Sequence, residues 1–296
     1  MINPHPGLPE FDYVKPATLE EASRFLAQHP GEARPFSGGT DCFVRMRDGF
    51  FHPKFMVDIK GLAGVDTLSF DSEAGLTIGA AVSMNRVAAL PEAALNYPVL
   101  VEAIKTVASY QLRTRATIIG NICNASPAGD TIGAALVYNG VLKVHGVNGF
   151  RELPLQDFFR GPGKTLLEPG DVVTTITFPI PPSGEKGKFV KLGRNKVGDL
   201  SIIAVTAIGY PDDAAPSGFR FRIALASVAP VPLMAAQAET ILSEKRINSE
   251  TIEEAAQAAM DACKPIDDVR GSARYRKQMV KNLTRQALAE VWSKLQ

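Results

Sequence analysis

Cysteine is scarce in this sequence and it is scattered. Cys42, Cys123 and Cys263 are the only three in 296 residues, and none stands in the CxxC pairing that a zinc site, an iron-sulfur cluster or a redox dithiol shows in sequence. They read as buried thiols of a reducing compartment. Net charge is nearly absent as well, with 32 Lys and Arg against 31 Asp and Glu. That removes the long-range field that would draw nucleic acid or an acidic membrane surface. No run approaches the roughly 20 apolar residues needed to cross a bilayer. The opening MINPHPGLPEFDY has neither the basic start nor the apolar core of a secretory signal, so the cytoplasm is the expected location.

Familiar catalytic signatures are missing too. His5, His29, His52 and His145 have no ligand spacing such as HExxH and read as surface or structural residues, and no metal site is expected. There is no GxSxG elbow, and no paired carboxylates stand out among the acids, so hydrolase chemistry is not indicated. The stretch Gly161-Pro-Gly-Lys-Thr165 is not a P-loop, because Phe158 stands where that pattern needs a glycine. A GxGxxG between a strand and a helix is also lacking, which leaves a Rossmann site unsupported.

What remains is an ordinary globular composition, 45% hydrophobic, long enough for two domains or one large domain with subdomains. Leu19, Ala22, Phe25 and Leu26 recur at helical spacing after a Thr18 N-cap, and Pro30-Gly31 stops that helix. Strands are predicted over Ala33 to Phe36, Phe55 to Ile59 and Gly75 to Val82, and a helix over Val99 to Ser109. Residues 111 to 130 fit neither period and read as a functional loop. Gly133 to Val147 reads as strand with a turn at Asn139-Gly140, and Asp171 to Phe178 as a β-branched strand. Prolines and glycines from Pro179 to Gly187 mark a domain boundary. Beyond it, three antiparallel strands (Lys188 to Leu192, Ser201 to Tyr210, Phe219 to Val228) precede helices at Met234 to Ser243, Ser249 to Cys263 and Ser272 to Lys294. The last two helices are read as serine-capped. The order of elements makes the fold class α+β.

Two stretches carry chemistry. In Phe36-Ser-Gly-Gly-Thr-Asp41, adjacent glycines after a strand permit positive φ and leave backbone N–H groups free to converge on phosphate oxygens; taken alone, the stretch reads first as a tight turn. The second, ATIIGNICNASPAGD from Ala116 to Asp130, packs hydroxyls, amides, two glycines and one carboxylate into fifteen residues with almost no ordinary charge. A buried polar ligand needs such a loop, because each buried polar group must be paired; an internal loop satisfying itself is the alternative.

Taken in order, these pieces resemble the FAD-binding subunit of the molybdenum hydroxylases, the family of xanthine dehydrogenase and carbon monoxide dehydrogenase. That family's PxTLEEA helix is seen at Pro16 to Ala22, its GGTD loop at Gly38 to Asp41, and its hVDI strand, with h apolar, at Met56 to Ile59. TIGA follows at Thr77 to Ala80, QhRxxATIGGN at Gln111 to Asn121 and SPAxD at Ser126 to Asp130. A G-x-GKTxLxPxEhh stretch lies at Gly161 to Val173 and KxxRxxxxDhs at Lys191 to Ser201. One departure is Ile119 in place of the first glycine of the family's TIGGN, which requires a negative φ there. The Cys-rich insertion that holds an extra cluster in a reductase subgroup is absent, so no cluster is assigned to this chain.

The resemblance implies a two-subdomain FAD-binding domain of the PCMH type, residues 1–57 and 58–179, followed at 188–296 by a C-terminal domain of three antiparallel strands and a helical bundle. It implies that Ser37, Gly38, Gly39, Thr40 and Asp41 hold the pyrophosphate and that Thr117, Gly120 and Asn121 support the pyrophosphate and ribitol. Ser126 and Asp130 then make further polar contacts, and Val172, Val173 and Lys191 approach the isoalloxazine. No residue of this chain is assigned a catalytic role. Expected partners are a large molybdopterin subunit and a small [2Fe-2S] subunit, in a dimer of heterotrimers. A non-catalytic FAD-binding assembly module and a stand-alone flavin oxidase of related fold are the other readings. Retention of Thr40, Asp41, Thr117, Asn121 and Asp130 argues against the first, and the lack of a substrate-sized His, Tyr or Arg set against the second.

Overall fold

In a computed structural model, the residues described are 7–195 and 198–296; His5 lies outside them. The first lobe is a small parallel sheet. β1 (Asp12–Val14) leads to α1 (Leu19–Gln28), whose Thr18 hydroxyl caps the Glu21 N–H at 3.1 Å while the Glu21 carboxylate accepts from the Ala17 N–H at 2.7 Å. Those reciprocal bonds satisfy donors that a helix start leaves open. β2 (Ala33–Phe36), α2 (Cys42–Arg47) and β3 (Phe55–Asp58) follow, and the sheet runs in the order β1-β3-β2 with both pairings parallel.

The second lobe begins with β4 (Leu68–Asp71) and β5 (Gly75–Gly79). A helical layer comes next: α3 (Met84–Ala89), α4 (Pro91–Asn96), α5 (Pro98–Thr106), α6 (Tyr110–Arg113), α7 (Ile118–Asn124) and α8 (Asp130–Val137). β6 (Val141–Gly146), β7 (Gly149–Pro154), the hairpin β8 (Phe159–Gly161) with β9 (Lys164–Thr165), and β10 (Val172–Phe178) close it. The five-stranded sheet has the order β4-β5-β10-β6-β7 and is antiparallel throughout.

The third unit is a four-stranded antiparallel sheet, β11 (Lys186–Leu192), β12 (Ile203–Pro211), β13 (Phe219–Ala226) and the two-residue β14 (Leu233–Met234). One face is covered by α9 (Ala236–Glu244), α10 (Ser249–Ala262) and α11 (Ala273–Leu295). The other face meets α8, and the approach is close: a Cβ at Gly133 would sit 2.6 Å from the Thr206 hydroxyl. Phe189, Ala204, Ile208, Ala224 and Ala226 thereby join the apolar core of the first two lobes.

Four sequence expectations change. The C-terminal sheet has four strands where the sequence predicts three, because the two-residue β14 pairs with β13. The stretch 111–130 is mostly helical, since α6, α7 and the head of α8 fall within it. Residues 133–137 are helix rather than strand, and strand begins only at Val141, after Asn139 turns at φ +53°. Every residue of α8 is buried, so it shows no polar stripe, and a short apolar run cannot be told from a buried strand by period. Finally, Asn248 rather than Ser249 caps α10, accepting from the N–H groups of Glu250 and Thr251 at 2.9 Å. Ser272 does cap α11.

Candidate flavin site

The first loop leaves β2 and turns into α2 through Gly39 at φ +72°, a conformation in which a side chain is strained. Gly38 meets a different constraint, because a Cβ there would lie 2.1 Å from the Arg115 carbonyl oxygen. The N–H groups of Gly38, Gly39, Thr40, Asp41 and Cys42 donate to no acceptor among the described residues. Asp41 stands at the N-cap of α2 without capping it, and burial raises its carboxyl pKa against the opposing pull of Arg45. A row of uncommitted amides on a tight turn is an anion cradle.

The second stretch is built around a cap. Thr117 accepts the Gly120 N–H on its hydroxyl at 2.9 Å and the Asn121 N–H on its carbonyl at 3.0 Å, which starts α7 and leaves the Ile119 N–H with no acceptor among the described residues. Ile119 itself is helical and buried, so the negative φ required of it is met without strain. Asn121 Oδ1 accepts from the Thr131 hydroxyl at 2.8 Å, tying α7 to α8, while its Nδ2 stays uncommitted among those residues. Ala125 turns at φ +47°, and the Ser126 hydroxyl accepts from the Ala128 N–H at 3.3 Å.

Both stretches line one cavity of about 530 Å³. Ser37, Gly38, Gly39, Thr40 and Asp41 form one wall; Thr117, Gly120, Asn121, Ser126 and Asp130 form the facing one; Val172 and Val173, both buried, add part of a third. Of the residues singled out by sequence only Lys191 is not on the surface of the cavity. It stands behind Asp130, with Nζ 2.7 Å from Oδ2, and donates to the Thr106 carbonyl at 3.1 Å. The Ser201 hydroxyl donates to Asp130 Oδ1. Burial raises the Asp130 carboxyl pKa, while Lys191 and Ser201 oppose the shift. Lys191 is thus the counter-ion of a cavity carboxylate and does not itself line the cavity, a geometry that spacing along the chain could not reveal.

Several lining residues were missed by sequence reasoning: Arg34, Phe51, Leu112 and Leu200. Leu200 belongs to the KxxRxxxxDhs stretch and could have been picked out there. Leu112 is likewise the apolar residue of the QhRxxATIGGN stretch, whereas Arg34 and Phe51 carry no local signal, since only the folding of β2 and the 49–54 turn around the same space brings them in.

The geometry suits a cofactor with a diphosphate in its middle. Gly38 and Gly39 stand where a Cβ would collide, the facing helix start offers an open N–H, and polar side chains with spare donors line the rest. The comparisons agree. Residues 9–181 match the FAD binding domain in molybdopterin dehydrogenase. The chain belongs to that family. Residues 188–291 match the CO dehydrogenase flavoprotein C-terminal domain. The carbon monoxide dehydrogenase medium chain of Hydrogenophaga pseudoflava is 30% identical over 97% of this chain and 98% of its own. The xanthine dehydrogenase FAD-binding subunit of Escherichia coli O157:H7 is 28% identical over 94% of each. A solved carbon monoxide dehydrogenase from H. pseudoflava, lacking the Mo-pyranopterin moiety of its molybdenum cofactor, superposes with a TM-score of 0.91 at 30% identity, covering 97% of this chain and 98% of that one. This molybdopterin dehydrogenase flavoprotein is therefore an oxidoreductase subunit, and its cofactor is FAD. No helix among the described residues is long and apolar enough to cross a membrane.

Proposed function

We propose that this flavoprotein is the electron-transfer subunit of a multi-subunit molybdenum hydroxylase in the cytoplasm, receiving electrons from [2Fe-2S] clusters of a small partner and passing them to a terminal acceptor. A large partner would carry molybdopterin and the hydroxylated substrate, in a dimer of heterotrimers. The observation that carries this reading is the open row of amides from Gly38 to Cys42 together with the single open N–H of Ile119, lining one cavity. Bound FAD supplies the exchange between single electrons from clusters and the two-electron demand of an acceptor.

This chain's residues would do the holding. The loop from Ser37 to Asp41 would take the diphosphate by backbone donation. Thr117, Gly120, Asn121 and Ser126 would face it from α7 and the following turn, with Asn121 Nδ2 as a free donor. Val172 and Val173 would exclude water beside the ring, and Asp130, held by Lys191 and Ser201, would offer a fixed charge. The chain then divides into a first subdomain that runs through Asp58, where β3 ends, a second to 179, and a third that starts at Lys186, where β11 begins, rather than at 188. Nothing here needs to act as nucleophile or base on the hydroxylated substrate, so the partner determines what that substrate is.

The test is direct. Purified chain should be yellow, bleach with dithionite, and on denaturation release FAD rather than FMN. Purification from the native host should bring molybdenum and iron with it. A colourless protein that takes up no added FAD would overturn the cofactor assignment; FAD without either metal at any purification stage would overturn the assembly. Gly39→Val perturbs the loop locally but strains it, since it forces a β-branched residue into φ +72° and sets its Cβ 2.6 Å from the Phe43 ring. Asp130→Ala is less clean, because it leaves Lys191 buried without its partner.

A further inference from the structure

Arg276, near the start of α11, is the largest fully buried side chain among the described residues. Burying a guanidinium is costly, so what it holds matters. Its Nη1 donates to the Ile202 carbonyl at 2.7 Å and to the Ser227 carbonyl at 3.0 Å, and its Nη2 to the Asp268 carboxylate at 2.6 Å. Asp268 also pairs with Arg270 at 2.6 Å, whose Nη1 donates to the Ser201 carbonyl at 3.3 Å. Ile202 stands just before β12 and Ser227 just after β13, and each place carries one contact to the wall of the cofactor cavity. Beside Ile202, the Ser201 hydroxyl donates to Asp130. The Ser227 N–H donates to the Pro127 carbonyl at 2.7 Å, from a φ of +64° that residues with side chains rarely adopt. Ser126, Ala128, Gly129 and Asp130 line the cavity, and so does Leu200 just before Ser201. Arg276 itself is not on the cavity surface.

We infer that Arg276, anchored by Asp268, is a positioning residue for the cofactor site: it fixes the Ile202 and Ser227 backbone and through it the Ser126–Asp130 wall. The C-terminal unit thereby sets the shape of a cavity built mostly by the other two lobes. The inference rests on the FAD reading above and goes beyond it, since it assigns a role to a residue that touches no cofactor. A guanidinium suits the task because its planar fork serves several acceptors in fixed directions. An apolar side chain in its place would leave the two carbonyls and the carboxylate without that donor, and a buried acceptor left unpaired carries its full desolvation cost.

The test uses the full chain stripped of flavin, titrated with FAD by calorimetry, with amide hydrogen exchange followed in the flavin-free protein. Arg276→Met should weaken FAD by about 3- to 30-fold, the range over which bonded networks couple separated positions, and should speed exchange of the Ser227 amide. Arg276→Lys keeps the charge but serves fewer acceptors and should fall between parent and Arg276→Met. Leu288→Ala is the control: it opens a cavity at a buried apolar position of the same helix and should leave FAD affinity at the parent level. Combined with Ser201→Ala, Arg276→Met should cost less than the product of the two separate losses, because both act through the hold on Asp130. If the parent binds FAD and Arg276→Met binds it equally well, or Leu288→Ala loses as much, the inference is wrong while the FAD assignment stands. Losses that simply multiply in the double variant overturn it too. If Arg276→Met fails to fold, the lysine variant decides, and parent-level affinity there overturns the role. A parent that takes up no FAD overturns the cofactor reading instead; Ser227 exchange then decides the positioning role, and an unchanged rate in the folded variant overturns it.

Discussion

Gly38 and Arg115 are in backbone contact across the cavity wall: a Cβ on the glycine would sit 2.1 Å from the carbonyl oxygen of the arginine. The first loop, from the parallel sheet, and the lead into α7, from the second lobe, are therefore packed main chain to main chain. The amides of the two loops can surround one ligand because no side chain separates them.

Gly38→Ala should accordingly cost about 1–3 kcal/mol, since the clash is with backbone that has nowhere to go, and should weaken FAD retention further by parting the loops. Gly7→Ala, with nothing within 4 Å of the new methyl, should stay within about 0.5 kcal/mol. Urea unfolding of both variants, with FAD content measured in parallel, makes the comparison.

Lys191→Met should destabilise strongly. It strands the Asp130 carboxylate in a buried setting, and removing one partner of a buried pair costs about 3–5 kcal/mol. Adding Asp130→Asn should recover part of the loss, a coupling that a double-mutant cycle measures. The exposed pair of Lys245 with Glu254 is the contrast, where Lys245→Met should cost about 0.2–1 kcal/mol.

Glu185 should impose a pH dependence. Its Oε1 and the Tyr138 hydroxyl are both buried with no hydrogen-bond partner among the described residues, and burial pushes the Glu185 carboxyl up to about 7. The folded state therefore holds this proton more tightly than the unfolded state does. Its favourable contribution is complete below the ordinary glutamate range and is lost as pH rises through about 7. Thermal unfolding of the parent should show a falling Tm between pH 5 and 8, as flagged by the shift from an ordinary value of about 4.3, and Glu185→Gln should flatten that slope. An identical slope in the two proteins would remove Glu185 as its source.

The thiols should be quiet. Burial pushes both Cys123 and Cys263 up to about 12, so almost no thiolate exists at neutral pH. Native protein at pH 7.5 should leave Cys263 unmodified by iodoacetamide until denaturant is added, as peptide mass mapping would show.

How much of this was readable before folding depends on the range of the interactions. α1, β2, β3 and the helices of the C-terminal unit were legible because their signals are local: a Thr18 cap, a Pro-Gly stop, alternating apolar residues, a 3.6-residue stripe. The turn of Gly38 and Gly39 and the cap at Thr117 were legible as chemistry for the same reason. α8 was misread because it is buried on all sides, so its period carries no contrast between faces, and β14 was too short to register.

What the amino-acid order determined by itself was a set of bare amides, caps and hydroxyls at two places some eighty residues apart, and a composition that gave them no other use. Only the tertiary structure decided that these places line one cavity, that Lys191 stands behind Asp130 instead of on the cavity surface, and that the Arg34 guanidinium lies over the Phe51 ring. Donors and turn residues act over a few bonds and are written in neighbouring letters. Which walls share a cavity is decided by the burial of whole sheets and helices against one another, and that energy is summed over residues far apart in the chain.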